Sequence, residues 1–82
     1  MDKLKRSGYS KVYFWIDKPH KVYKPHLHLR ATKIVVVRGS MKLTMMGYTK
    51  NYKAGDSINV PKEIKHSAII GSHGREFVEG SR

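Results

Sequence analysis

Short runs of β-branched and aromatic residues recur along this chain, each closed by Gly or Pro, and no stretch keeps a helical period over three turns. That punctuation restricts the chain to an all-β sandwich or barrel. Lys11–Asp17 (KVYFWID) reads as a strand with two apolar faces, one for the barrel core and one for an interface between copies. Tyr13 and Trp15 share a face and suit either the core or a homodimer contact. Lys18-Pro19 ends this run. Residues 33–37 and 41–46 read as a hairpin about Gly39-Ser40. Tyr48–Lys53 reads as a polar connection, and Ser57–Val60 as a short strand ending at Pro61. Residues 66–70 and 75–78 read as two last strands around the turn Gly71-Ser72-His73-Gly74.

With 82 residues there is room for one core. Such a chain buries only roughly 60–65% of its unfolded surface. It has no cysteine, so added stability must come from a metal, an oligomer or tight packing. The expected organisation is a basic N-terminal arm over residues 1–10, with Lys3, Lys5 and Arg6, and a single domain over 11–82. The arm lacks the apolar segment of a secretory signal, and no run approaches the roughly 20 apolar residues of a membrane span. A cytoplasmic location is the resulting expectation. Seventeen Lys and Arg against six Asp and Glu give a formal charge of +11, which attracts anions and acidic partners.

Residues 22–30 carry the chemistry. Under strict alternation Val22, Lys24, His26, His28 and Arg30 leave one face, and Tyr23, Pro25, Leu27 and Leu29 the other. Pro25 lacks an N–H, which places this strand at an edge or at a local irregularity. Two histidines on one face, with His66 on a later strand, form a candidate three-imidazole cluster. His20 and His73 fall in turns and are expected in solvent. With no cysteine, and Asp only at 2, 17 and 56, no nucleophilic triad is assembled.

The spacing of these residues resembles the cupin family. His26 and His28 are followed by Thr32 at the position of that family's Glu and by Gly39 at the position of its Gly. Gly55, Pro61 and His66 match the second motif in register. His20 and Glu63 stand where the motifs carry Gly, and Ile70 where they carry Asn. The resemblance covers residues 19–70 and implies a small cupin-type double-stranded β-helix, or jelly-roll, barrel. It implies a divalent transition metal (Fe, Mn, Ni, Zn or Cu) on His26, His28 and His66, and usually a dimer.

Three imidazoles leave open positions on a metal, which suits a metal-dependent oxygenase or isomerase. Thr32 would line the pocket, and Lys24 and Arg30 would make its mouth cationic for a small anionic substrate. Two other functions use the same residues. A non-catalytic cupin would bind a small anionic or sugar ligand. A basic barrel could instead bind nucleic acid through Tyr48, Lys50, Tyr52 and Lys53.

Overall fold

The computed structural model describes residues 8–9 and 11–81. Lys3, Lys5 and Arg6 of the basic arm lie outside the described residues. Six strands make up the fold: β1 Lys11–Asp17, β2 Val22–His26, β3 Thr32–Met45, β4 Tyr48–Lys53, β5 Ser57–Val60 and β6 His66–Ser81. All pairings are antiparallel.

The long strands β3 and β6 pair along their whole lengths, from Thr32↔Ser81 to Met45↔His66. Their halves have different outer neighbours. Near one end β5 flanks β3 and β1 flanks β6; near the other, β4 flanks β3 and β2 flanks β6. The inner faces of both halves close on one core, with Ile34, Val36, Ile58, Val60 and Phe77 meeting Met41, Leu43, Ala68 and Ile70. This is the all-β jelly-roll arrangement expected of the sequence.

Three local expectations change. The hairpin about Gly39-Ser40 does not form, because β3 runs straight through it. Gly39 has φ 79° and bends the strand, with register shifts between Val36 and Arg38 and between Gly39 and Met41. The turn at 71–74 is likewise absorbed into β6. Gly74, at φ 75°, lies against Gly39: a Cβ on Gly39 would stand 2.0 Å from the Gly74 carbonyl oxygen. Both strands therefore crease at one place, where only hydrogen atoms fit between the backbones. Tyr48–Lys53, expected as a connection, is strand β4. Met46 and Gly47, at φ 52° and 79°, form the two-residue turn that pairs Met45 with Tyr48. β4 lacks an alternating apolar signal because only Tyr52 packs toward the core.

His20 and Glu63 occupy the left-handed region, at φ 63° and 61°. These are the positions where the resembled motifs carry Gly, so this chain accepts about 1–2 kcal/mol of backbone strain at each.

β1 departs from expectation in burial. Tyr13, Phe14, Trp15 and Ile16 are all exposed, Ile16 at 68%, and only Asp17 is buried. β1 pairs with β6 alone, so its apolar side chains have no second layer within the described residues.

The crease yields a direct test. Gly39→Ala drives a methyl into the Gly74 carbonyl and is expected to lower unfolding stability by about 3 kcal/mol or more, read from urea denaturation. The same substitution at Gly47, where a Cβ meets nothing within 4 Å, carries only the positive-φ strain and should cost about 1–2 kcal/mol.

Candidate metal centre

His26 and His66 face one another directly across the β2–β6 pair. Tyr23 pairs with Ala68, yet three residues later His26 pairs with His66 only two residues away. That extra residue is a bulge around Pro25, whose missing N–H removes a ladder bond there. The bulge reverses the side-chain parity of β2. Tyr23 and His26 both turn into the barrel, whereas Val22 and Lys24 are exposed.

His28 lies just past β2, in the loop to β3. Its carbonyl accepts a 2.7 Å bond from the Glu63 N–H, which ties this loop to the one before β6. The three rings converge, with centroids 4.3 Å (His26–His66), 5.0 Å (His28–His66) and 5.3 Å (His26–His28) apart. One nitrogen from each lies within 4.8 Å of the others.

Two of the rings are oriented from behind. His26 Nδ1 lies 2.6 Å from the Lys24 carbonyl oxygen and His66 Nδ1 lies 3.0 Å from that of Ile64. A carbonyl only accepts, so each Nδ1 carries the proton and donates. Each Nε2 is left with a free lone pair, the arrangement that second-sphere bonds enforce on ligating histidines. Burial lowers the His66 pKa below 6.5, and the neighbouring His26 and His28 push the same way. The Ile64 hydrogen bond and the Glu79 charge act in the opposite sense. Burial thus favours the neutral His66 imidazole at neutral pH. The donor set fits a borderline transition metal.

The rings open on a cavity of about 350 Å³ whose apolar walls include Ile34, Met41, Leu43 and Phe77. The other site residues expected from sequence lie elsewhere. Lys24 and Arg30 are exposed and do not line this cavity. The bulge at Pro25 accounts for Lys24, and β2 ends four residues before Arg30. Thr32 is buried, donates its hydroxyl to the Arg30 carbonyl at 3.2 Å, and lies beside a separate recess with Ala31, Val60 and Pro61. His20 and His73 are exposed. Of the basic and aromatic surface expected on Tyr48–Lys53, Tyr48, Lys50 and Lys53 are exposed, while Tyr52 packs inward under the Lys50 ammonium.

Sequence reasoning missed the polar wall of the cavity. Asp17, Lys21, Tyr23, Arg75 and Glu79 all line it. Asp17 and Arg75 form a buried pair: Nε and Nη2 donate to Oδ2 at 3.0 and 2.6 Å. The Tyr23 hydroxyl donates to the other Asp17 oxygen at 2.7 Å, and Lys21 Nζ approaches it at 3.7 Å. The guanidinium stacks 3.6 Å from the centre of the Phe77 ring. Burial raises the Tyr23 pKa, and its bond to Asp17 raises it further. The sequence signal was Asp17 itself, a charge ending an aromatic strand, and Arg75, which shares a face with Phe77 and Glu79.

The comparisons with known proteins bear on this geometry. The family model for the cupin domain matches residues 13–76, and the chain belongs to the cupin domain family. Among solved structures, an RmlC-like cupin from Shewanella frigidimarina aligns with TM-score 0.75 and 24% identity, over 85% of this chain and 63% of that one. A variant of the Bacillus subtilis oxalate decarboxylase aligns with TM-score 0.82 and 21% identity, over 98% of this chain and 22% of that one. Another structure of that enzyme is described by its Mn(II) centres. A cupin-like protein from Thermotoga maritima aligns with TM-score 0.77 and 21% identity, over 85% of this chain and 54% of that one. The chain therefore spans less than two thirds of each of these structures, and at these identities the likeness is one of fold. No protein of curated function matches significantly. Among the described residues, no helix is long and apolar enough to cross a membrane.

Asp17→Asn would strand the buried Arg75 guanidinium without a countercharge. The expected loss is about 3–5 kcal/mol of unfolding stability, measured by chemical denaturation. Tyr23→Phe, which removes one bond to the same carboxylate, should cost only about 1–2 kcal/mol.

Proposed function

We propose that this chain is a metal-dependent cupin in which His26, His28 and His66 hold one divalent transition metal and present it to a small anionic substrate. The observation that carries this reading is the orientation of the ring nitrogens. Two of the three imidazoles have Nδ1 bonded to a backbone carbonyl, so each keeps Nε2 free beside the third ring. Histidines serving only as packing would have no need of that shared direction. A bound ion would supply Lewis acidity to a coordinated oxygen, the chemistry of an oxygenase or isomerase. The chain's own contribution is to hold the ligands, to favour neutral His66 by burial, and to line the open side with apolar side chains and one charged cluster. Thr32 supplies no charge to this site, so three neutral imidazoles leave an ion's full positive charge available to an anion.

Protein purified without a histidine tag and reconstituted with Fe, Mn, Ni, Zn or Cu should retain about one ion per chain after dialysis. His66→Ala and His26→Ala should each retain less than about a tenth of that. Wild-type protein that holds no metal under these conditions overturns the reading. The pH dependence follows from His66. Its pKa is lowered in the folded state, so the unfolded chain takes up the proton first as pH falls below 6.5. Metal occupancy and the metal-dependent rise in Tm should both be level above that pH and decline below it.

The exposed aromatic and aliphatic side chains of β1 support a homodimer as the working unit. Light scattering coupled to size exclusion should give twice the chain mass. Trp15→Ser with Phe14→Ser should return the protein to a monomer, and a monomeric wild type would refute the dimer.

A further inference from the structure

Beside Met41 and Phe77, the cavity lining holds two cations against the Asp17 carboxylate. Arg75 and Lys21 both converge on Asp17, at 2.6 and 3.7 Å. The Tyr23 hydroxyl also donates to Asp17, so that carboxylate's acceptor capacity is shared among three donors. Glu79 lines the same cavity but pairs with neither cation, so the Asp17 cluster by itself carries one cation more than it has carboxylates. Arg75 is only 4% exposed, yet its Nη1 has just the Met41 sulfur as partner, at 2.9 Å. A thioether is a weak acceptor, so this buried donor is poorly used. Lys21 is half exposed, with its ammonium 4.8 Å from the Tyr23 ring centre. Its remaining N–H groups are free to turn toward a ligand.

This cationic wall adjoins the histidines. The Tyr23 ring lies 6.3 Å from the His26 ring and 5.6 Å from the Arg75 guanidinium carbon. Tyr23 is the spacer between them, and all of these groups line one cavity.

We infer that Arg75 Nη1 and Lys21 Nζ form a carboxylate anchor, which makes the ligand a short acid with two oxygen-bearing ends. One carboxylate docks on Arg75 and Lys21, and the other end, a carboxylate or an adjacent keto or hydroxyl oxygen, faces His26, His28 and His66. The inference rests on the proposed metal reading and sharpens its substrate class. Arg75 is held in place by Asp17 and Phe77, so it arrives pre-oriented. Lys21 is the adjustable partner. A monocarboxylate fills one end only, and a neutral sugar leaves the surplus charge unanswered.

Binding is read by isothermal titration calorimetry rather than by tryptophan fluorescence, since Trp15 both lines the cavity and belongs to the exposed face of β1. Metal-loaded protein is titrated with malonate, succinate and glutarate, and with acetate as the single-ended control. At least one diacid should bind tenfold or more tighter than acetate. Lys21→Met should abolish that ratio, and Lys21→Arg should restore most of it. Lys24→Met removes the same charge outside the cavity and should leave the ratio unchanged. Equal losses in Lys21→Met and Lys24→Met would reduce the effect to net charge and overturn the anchor. So would equal affinity for all four acids in metal-loaded wild type. If the wild type retains no metal, the metal reading fails separately. The comparison of wild type with Lys21→Met, titrated metal-free with the same diacids, then decides the anchor: a loss of affinity upholds it and no change overturns it.

Discussion

The contact between Gly39 and Gly74 organises the molecule. Each lies on a long strand and each has positive φ; a Cβ on Gly39 would run into the Gly74 carbonyl, and a Cβ on Gly74 would run into the Asp17 carbonyl. Because β3 and β6 crease together, each strand serves both halves of the barrel. A chain this short needs that economy. The crease also sets the position of the polar wall. Arg75 follows Gly74 directly and pairs with Gly39, while the Asp17 carbonyl lies against Gly74 from β1. The buried ion pair therefore sits where the two halves fold on each other.

The histidine cluster depends on a second irregularity. A regular β2 cannot present both Tyr23 and His26 to the interior, since their positions differ by an odd number. The bulge around Pro25 makes that possible. It brings the His26 ring and the Tyr23 spacer onto one side of one short strand. The bond from Glu63 to the His28 carbonyl then joins the loops on either side of the cluster, at the cost of left-handed backbone at Glu63. Local strain and missing ladder bonds are thus concentrated around the candidate site, and the regular packing of Ile34, Val36, Leu43 and Ile70 lies beneath it.

The parts of this fold legible in the sequence were those written in residue type. Gly39, Gly55, Pro61 and the three histidines stand at fixed spacings, and those spacings carried both the barrel and the cluster. What depended on continuity was not legible. Gly39-Ser40 and Gly71–Gly74 look like turns, because glycine signals positive φ without saying whether the strand reverses or merely bends. β4 was hidden for a different reason: four of its first five side chains, Tyr48, Thr49, Lys50 and Asn51, face solvent, so no alternation marks it. Parity failed at Pro25 because a bulge inserts a residue that the period of two does not count. That single residue turned Lys24 outward, and the cations that line the cavity are instead Lys21 and Arg75. Those two meet only through the fold, being far apart in the chain and joined by Asp17.

The two centres of the cavity are electrostatically complementary in what they lack. A metal bound at the histidine end would add positive charge there. The wall at Asp17 carries one surplus cation whether or not metal is present. An acid in the cavity is therefore attracted by the fixed Asp17 cluster with or without metal. Glu79 limits that attraction. It lines the same cavity, its charge stabilises a protonated His66, and among the described residues no hydrogen bond or ion pair engages its carboxylate. An anion must displace the field of Glu79 from the histidine end, whereas a divalent cation is drawn there by it. On the proposed reading, the one free carboxylate of the cavity would favour metal at the rings and leave the Lys21–Arg75 wall to a ligand. Such a division separates the two binding events in space with no need for the family's Glu at Thr32.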